Sequence, residues 1–213
     1  PFAGTTTVNK SGVIIDLNGA TLTGGSPAFE IYADDTTILN GVLDGWTGSN
    51  NNPDPAIIVH GGADNFILLD VEILRWDSGV YLLDDVVSFK LVGNWFHDNS
   101  GAGLLVDAAA TLQGIVTIEG NLFKENGGDG VQNDGPGWFI DGGLVPLPVN
   151  YNSWGHRDGP LSGDGAGGSL WLDQYTFFEP YLDMLPETNA SAVSVAETTS
   201  FTVKLKADAA LVY

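Results

Sequence analysis

The sequence predicts an all-β solenoid, in which a single chain winds into stacked coils of short parallel strands. A short apolar segment that ends in an Asn, Asp or Gly turn recurs along the chain, and its central residues are Leu43, Ile73, Phe96 and Phe123. Successive members are 30, 23 and 27 residues apart, and a period in the twenties without helices is typical of strand solenoids. We therefore expect these four side chains to lie directly over one another in consecutive coils.

Helices are not expected, because 29 Gly and 10 Pro interrupt every stretch that would otherwise sustain a 3.6-residue period. Each coil is predicted to contain three short strands joined by polar turns. Equivalent strands of successive coils would pair in parallel, and the handedness of such crossovers favours a right-handed coil. In chain order, the predicted strands span residues 13–17, 20–23, 29–32, 37–39, 42–43, 57–60, 66–69, 72–74, 80–83, 88–92, 95–96, 104–106, 115–118 and 122–123.

Three segments are predicted: coils over residues 1–140, a Gly-rich and aromatic cap over 141–185, and a strand segment over 186–213. A cap is expected because an open solenoid end exposes core side chains and strand edges. In the last segment, the alternation FTVKLK predicts an amphipathic strand with Phe201, Val203 and Leu205 on one side. Because this strand has no evident partner in the chain, we expect it either to begin a truncated domain or to pair elsewhere, on another coil or on a neighbouring subunit.

The charge of the chain restricts its partners. The sequence has 7 Lys and Arg against 27 Asp and Glu, which gives a net charge of −20. A field of this sign repels nucleic acid and anionic membranes. No apolar run reaches the length of a membrane-spanning helix, so no membrane span is expected. The chain contains no Cys, which excludes disulfides and thiolate chemistry.

Two kinds of polar column are expected from the stacking of coils. Asn99 follows the anchor Phe96 as Asn126 follows Phe123, and Asn94 and Asn121 precede the same anchors. Stacked Asn side chains form hydrogen-bonded ladders. Six aspartates precede the middle strands of their coils, and carboxylate oxygens are ligands that Ca²⁺ prefers, so this acidic column is a candidate calcium site. Its members are Asp34, Asp35, Asp64, Asp84, Asp85 and Asp107.

The segment IDLNGATLTG at residues 15–24 resembles the opening coil of the right-handed parallel β-helix superfamily, the pectate-lyase-like and surface β-helix repeat proteins. The motifs NSWG, GP, GDG and FEPYL between residues 152 and 182 are similar to the segment that closes many such helices in bacterial and archaeal surface proteins. Ser153 and Tyr181 replace two Trp residues of that pattern. The resemblance covers about residues 10–182 and implies a right-handed, single-stranded parallel β-helix. This superfamily contains lyases, hydrolases, adhesins and stalks, so the activity stays open.

The resemblance also suggests catalytic candidates. Uronate lyases of this superfamily use acidic Ca²⁺ ligands beside an Arg or Lys, which makes Arg75 and Asp77 candidates. His97 and Asp98 resemble a base and the residue that orients it. In a purely structural role, Arg75 would lie over a Trp ring or pair with Asp77. The GHG and RIK motifs of hydrolases that resemble polygalacturonases do not occur in this sequence.

Three tryptophans, Trp46, Trp76 and Trp95, fall near the ends of coils, where they would either stack on sugar rings or pack in the core. We expect a non-catalytic extracellular module of a bacterial or archaeal cell surface, such as a stalk, an adhesin or a filament subunit. Two alternatives remain open. One is a Ca²⁺-dependent polysaccharide lyase or a glycoside hydrolase that acts on acidic polysaccharide, and the other is a glycan-binding module.

Overall fold

The computed structural model describes residues 4–46, 48, 50–135, 138–140, 143–145, 147–149 and 151–154, together with the backbone of four later strands. These residues form a solenoid of about five coils that contains only β-strands and turns. No helix able to cross a membrane occurs in the described part of the chain. The strands are β1 Thr6–Val8, β2 Ile14–Asp16, β3 Thr21–Thr23, β4 Phe29–Ile31, β5 Thr37–Asp44, β6 Ile57–Val59, β7 Phe66–Leu74, β8 Val80–Leu82, β9 Val86–Val92, β10 Trp95–His97, β11 Leu104–Val106, β12 Leu112–Glu119, β13 Leu122–Lys124, β14 Val131–Asn133, β15 Trp138–Ile140, β16 Gly143–Val145, β17 Leu147–Pro148, β18 Leu170–Trp171, β19 Thr176–Phe177, β20 Leu182–Thr188 and β21 Phe201–Ala207.

Three faces run along the solenoid, and within each face the strands pair in parallel. Face A consists of β1, β4, β6, β8, β11, β14 and β18. Face B consists of β2, the first half of β5, the first half of β7, β9 and β12. Face C consists of β3, the second halves of β5 and β7, β10 and β13. The predicted coil of three short parallel strands is therefore confirmed.

The predicted stack of anchors is also confirmed. On face C, Leu43 pairs with Ile73, Ile73 with Phe96, and Phe96 with Phe123, and all four are fully buried. The rings of the two phenylalanines stack with centroids 5.0 Å apart and planes 7° from parallel. Side chains alternate across a strand, so the residues directly before and after each buried anchor point outward.

The corner between faces B and C requires a left-handed backbone in successive coils. Asn40 and Asp70 adopt φ of 57° and 52° at this corner, and the next two coils place Gly93 and Gly120 there. Asn and Asp tolerate this conformation better than most residues, and Gly adopts it without steric cost. A side chain at Gly93 would also place its Cβ 2.4 Å from a carboxylate oxygen of Asp70. Asn, Asp or Gly at this corner therefore lets a single strand, such as β5 or β7, continue from face B to face C.

Both predicted asparagine ladders are present. The side-chain amide of Asn94 donates to Oδ1 of Asn121 over 3.0 Å. The side-chain amide of Asn121 donates in turn to Oδ1 of Asn152, also over 3.0 Å. A second ladder joins Asn99 to Asn126 over 3.0 Å. All five side chains are buried, so the ladders satisfy polar groups that would otherwise be costly inside the solenoid.

The coil pattern continues into the segment predicted to be a cap. Asn152 extends the longer ladder, Ser153 bridges in parallel to Leu122, and Trp154 stacks on Phe123 with ring centroids 5.1 Å apart. Leu170 and Trp171 in β18 pair with β14 on face A. Parallel pairing thus passes the boundary predicted at residue 140. Residues 155–169 and 178–181, which carry most of the predicted closing motifs, lie outside the described residues.

The C-terminal strand has a partner within the chain, on a strand that was not predicted from the sequence. β21 pairs antiparallel with β20, from Leu182 opposite Ala207 to Thr188 opposite Phe201. The boundary predicted at residue 186 therefore falls inside β20. The side chains of Phe201, Val203 and Leu205 lie outside the described part of the structure, and assembly through them stays a prediction.

The longer ladder generates a test of stability. We expect Asn121→Ala to lower the free energy of unfolding by about 2–3 kcal/mol, because it removes the oxygen that accepts from the backbone N–H and the side-chain amide of Asn94 and the amide that donates to the carbonyl of Leu91. Urea denaturation followed by circular dichroism measures this change. Asn9→Ala, at an exposed position, is the matched control and should change the stability little. Equal stabilities of the two variants would contradict the proposed energetic role of the ladder.

Candidate functional site

The outer surface of face C carries two rows of side chains set by the buried anchors. The residue before each anchor and the residue after it point outward, so Glu72 pairs with Trp95 in one row. In the other row, His97 pairs with Leu74, and Leu74 pairs with Asp44. We call the polar and aromatic residues at this place the face C cluster. Its members are Asp44, Trp46, Glu72, Arg75, Trp95, His97 and Asp98.

Arg75 is held by Asp44 in a two-pronged ion pair. Its Nε lies 2.8 Å from one carboxylate oxygen and its Nη2 lies 2.5 Å from the other. The guanidinium carbon lies 5.3 Å from the centre of the Trp46 ring, within the range of a cation–π contact. Asp44 also accepts a hydrogen bond of 3.0 Å from the backbone N–H of Trp46. One carboxylate therefore positions both the cation and the indole.

The chain between Asp44 and Trp46 requires Gly45. A Cβ at this position would lie 2.2 Å from the carbonyl oxygen of Arg75 in the next coil. The close approach of the two backbones brings the turn of one coil against the turn of the next. The sequence Asp-Gly-Trp thus allows the ion pair to form between adjacent coils.

His97 lies between two carboxylates. Its Nδ1 is 2.7 Å from Asp98 and its Nε2 is 2.9 Å from Glu72 of the preceding coil. A neutral imidazole donates from only one nitrogen, so both contacts are hydrogen bonds only when the ring carries two protons. The ring of Trp95 stacks on the imidazole with centroids 4.0 Å apart. Neither nitrogen is available to take a proton from a substrate in this arrangement.

The loop between β5 and β6 borders the cluster and connects several coils. The side-chain amide of Asn51 donates to the carbonyl of Asp98 over 2.9 Å. The side-chain amide of Asn52 donates to the carbonyl of Gly25 over 2.5 Å. The loop thus lies beside the cluster and contacts the coil below and a coil above it.

The three candidate tryptophans have different positions. Trp46 is 44% exposed and Trp95 is 40% exposed, and both belong to the face C cluster. Trp76 is fully buried, and its Nε1 donates to the carbonyl of Leu43 over 3.1 Å. Of the two roles left open for Trp76, the structure shows packing in the core, because the turn directs its ring inward. Asp77 follows in that turn and accepts a hydrogen bond from Ser78, while Asp44 is the partner of Arg75.

Two members of the cluster, Asp44 and Glu72, were missed by sequence reasoning. They occupy the outward positions next to the anchors Leu43 and Ile73. Alignment of the anchors contains this signal, because the same offsets lead to Trp95 and His97 beside Phe96. What the alignment does not contain is the sideways contact of Glu72 with His97.

A family model described as "right handed beta helix region" matches residues 5–137, which is more than half of the chain. This chain belongs to the right-handed β-helix family. Comparison with curated proteins and with solved structures found no match. The family assignment agrees with the stacked parallel coils, and it specifies no reaction or ligand for this β-helix.

The acidic column of this β-helix links neighbouring coils through hydrogen bonds. Carboxylate oxygens of Asp34, Asp64 and Asp85 each accept from a backbone N–H of the next coil over 2.8–3.0 Å. Asp35 accepts from the side chain of Asn65. Asp84 is exposed beside this row. Within the described residues, no group of three or more His, Asp or Glu side chains is arranged so that it could hold a metal ion, and a calcium role for the column stays a prediction.

Asp107, the last member of the column, accepts a hydrogen bond of 2.5 Å from the hydroxyl of Tyr81 on face A. Burial and this hydrogen bond to Asp107 raise the pKa of Tyr81 to about 12. The same hydrogen bond, together with one from the backbone N–H of Ala109, lowers the pKa of Asp107. The pair is therefore a coil-to-coil contact whose strength depends on pH.

A shallow cavity of about 300 Å³ lies on face B, away from the cluster. Its lining includes Thr37, Ile67, Lys90 and Ile115, and among the candidate residues it includes Asp35. Ile115 is strongly exposed beside Ser88 at a β-bulge. Because the paired charges and the exposed indoles lie on face C, we place the candidate site there.

We expect Asp44→Ala to lower the free energy of unfolding by about 1–2 kcal/mol. The change removes both hydrogen bonds of Arg75 to the carboxylate, and solvent around the partly exposed guanidinium limits the loss. Trp46 should also lose its fixed position, which a shift in tryptophan emission would detect. Glu119→Ala, at an exposed acid on face B, is the matched control. Unchanged stability and emission in Asp44→Ala would contradict its positioning role.

The Tyr81–Asp107 contact predicts a stability difference that depends on pH. The raised pKa of Tyr81 contributes stability below about pH 10 that is lost as the pH rises toward 12. The lowered pKa of Asp107 contributes stability above about pH 4 that is lost as the pH falls. Tyr81→Phe should therefore cost up to about 1 kcal/mol between these limits and less outside them. Urea denaturation across pH measures the difference, and a constant offset would contradict the assignment.

Proposed function

We propose that this β-helix is a non-catalytic, extracellular module that binds a glycan on face C. The observation that carries the proposal is the pair of exposed indoles, Trp46 and Trp95, on one face of a rigid solenoid. Large aromatic rings are usually buried, and exposed ones beside polar groups are a common feature of binding surfaces.

Contacts on one side hold each indole in place. The guanidinium of Arg75 lies over the Trp46 ring, and the imidazole of His97 stacks on the Trp95 ring. Rings held in this way lose little conformational entropy when a ligand packs on them. The two tryptophans lie two coils apart, which places them about 10 Å apart along the solenoid axis. This spacing supports an extended ligand of several sugar rings.

The same contacts favour binding over cleavage. A lyase of this superfamily would need a basic side chain that is able to accept a proton from the substrate. Arg75 is engaged by Asp44, and both nitrogens of His97 are engaged by carboxylates. The arrangement therefore supplies a fixed polar surface in which the cation and the imidazole are both engaged by carboxylates.

The place of action outside the cell is part of the proposal. A net charge of −20 supports high solubility, and the likeness of the sequence to bacterial and archaeal surface β-helices supports a role on a cell surface. A stiff rod of stacked coils suits a stalk or filament module that presents face C to its ligand. The pairing of β21 with β20 supplies a partner within the chain, so strand donation is not needed for this role.

The first test measures binding to a glycan array, followed by calorimetry on the best ligand. We expect Trp46→Ala and Trp95→Ala each to weaken binding about tenfold or more, which corresponds to at least about 1.4 kcal/mol. Tyr32→Ala is the matched control, because it removes a ring of similar exposure from face A. Binding by both tryptophan variants at the affinity of the unchanged protein would exclude face C as the site.

The second test addresses the lyase. Incubation with uronic acid polymers, with and without Ca²⁺, should release no unsaturated products. The readout is ultraviolet absorbance of the new double bond. Product release that is lost in Arg75→Ala would overturn the non-catalytic proposal and establish the alternative.

A further inference from the structure

We propose that the glycan bound on face C is an uncharged oligosaccharide rather than an acidic one. This inference rests on the proposed function, since it specifies the ligand of the same site. It follows from how the charges of face C are already paired.

Both cations described on this face have a carboxylate partner. Arg75 makes its two-pronged pair with Asp44. Lys124 lies 3.1 Å from Glu125 at the end of β13. A uronate or sulfate group on a ligand would meet cations whose charge a carboxylate already balances, so it gains less from them than from an unpaired cation.

The charge of the cluster is negative in either protonation state of His97. Asp44, Glu72 and Asp98 contribute three negative charges, and Arg75 contributes one positive charge. A doubly protonated His97 leaves a net charge of −1, and a neutral ring leaves −2. The whole chain adds a field of the same sign, with a net charge of −20. This field repels a polymer that carries one negative charge on each sugar.

The same carboxylates suit hydroxyl groups. Glu72 and Asp98 each use one oxygen for His97, and their side chains are 33% and 52% exposed. A carboxylate accepts several hydrogen bonds, so the second oxygen of each can accept from a sugar hydroxyl. Hydrogen bonds from neutral donors to charged acceptors are among the stronger ones in proteins.

The aromatic contacts set the length of the ligand. One sugar ring cannot cover Trp46 and Trp95 together, because they are separated by about 10 Å along the solenoid axis. An oligosaccharide that contacts both rings makes two stacking contacts, but it loses the translational freedom of only one molecule on binding. We therefore expect affinity to rise from the monosaccharide to an oligomer of three or more units.

The experiment compares polymers that differ only in charge. Oligomers of galacturonan and of mannuronan are tested before and after chemical reduction of their carboxyl groups to hydroxymethyl groups, together with neutral galactan and mannan oligomers. Calorimetry at low ionic strength gives the affinities. We expect the neutral or reduced form to bind at least tenfold more tightly than the acidic parent, with a smaller difference in high salt because repulsion is screened.

A charge variant gives a second readout. Glu125→Gln frees the amine of Lys124, and it should improve binding of the acidic parent severalfold with little change for the neutral form. Glu119→Gln removes an exposed charge from face B and is the matched control. Equal improvement in both variants would support repulsion by the whole chain as the cause, and improvement in neither variant would overturn the inference.

The possible failures are distinguishable. Tighter binding of the acidic parent, with loss in the tryptophan variants, would overturn the uncharged ligand and leave the glycan site in place. Salt-sensitive binding that is confined to amine-bearing oligomers would overturn it as well. Absence of binding to every neutral, acidic and amine-bearing glycan would overturn the proposed function and this inference together.

Discussion

The parallel register between successive coils is the constraint on which the other features of this β-helix depend. It aligns Leu43, Ile73, Phe96 and Phe123 inside face C, and it thereby fixes which neighbours point outward. The asparagine ladders reinforce the register, because an amide that donates to the next coil has its partner only in the correct alignment. The face C cluster is a consequence of this alignment, since its members come from separate coils.

Pairing between coils also explains how the charged residues of the face C cluster are held in place. Asp44 and Glu72 each bind a residue of the following coil, Arg75 and His97 respectively. The guanidinium of Arg75 also contacts the Trp46 ring, and the imidazole of His97 also stacks on the Trp95 ring. The charged and aromatic side chains of the cluster therefore contact one another directly. In a chain with an excess of negative charge, Arg75 is thus balanced by Asp44, and His97 lies between two carboxylates.

The sequence predicted most of the fold and five of the seven residues of the face C cluster. The spacing of the anchors predicted the stack on face C, because short strands with one buried row repeat their pattern in each coil. It did not predict that Trp76 points inward while Trp46 and Trp95 stay exposed. The direction of a side chain in a turn depends on backbone contacts to the neighbouring coil, and local residue type does not encode them. The partner of β21 was missed for a related reason, since β20 contains a proline and lacks a clear alternating pattern.

The loop between β5 and β6 has a consequence for how the rod unfolds. Stacked repeats normally interact only with immediate neighbours, so their ends fray one unit at a time. The side chain of Asn51 in this loop bonds to Asp98, which lies two coils further along the rod. The side chain of Asn52 bonds to Gly25 in the preceding coil. Four consecutive turns of the rod are thereby tied into a single cooperative block, and the tryptophan surface lies on the segment that resists fraying.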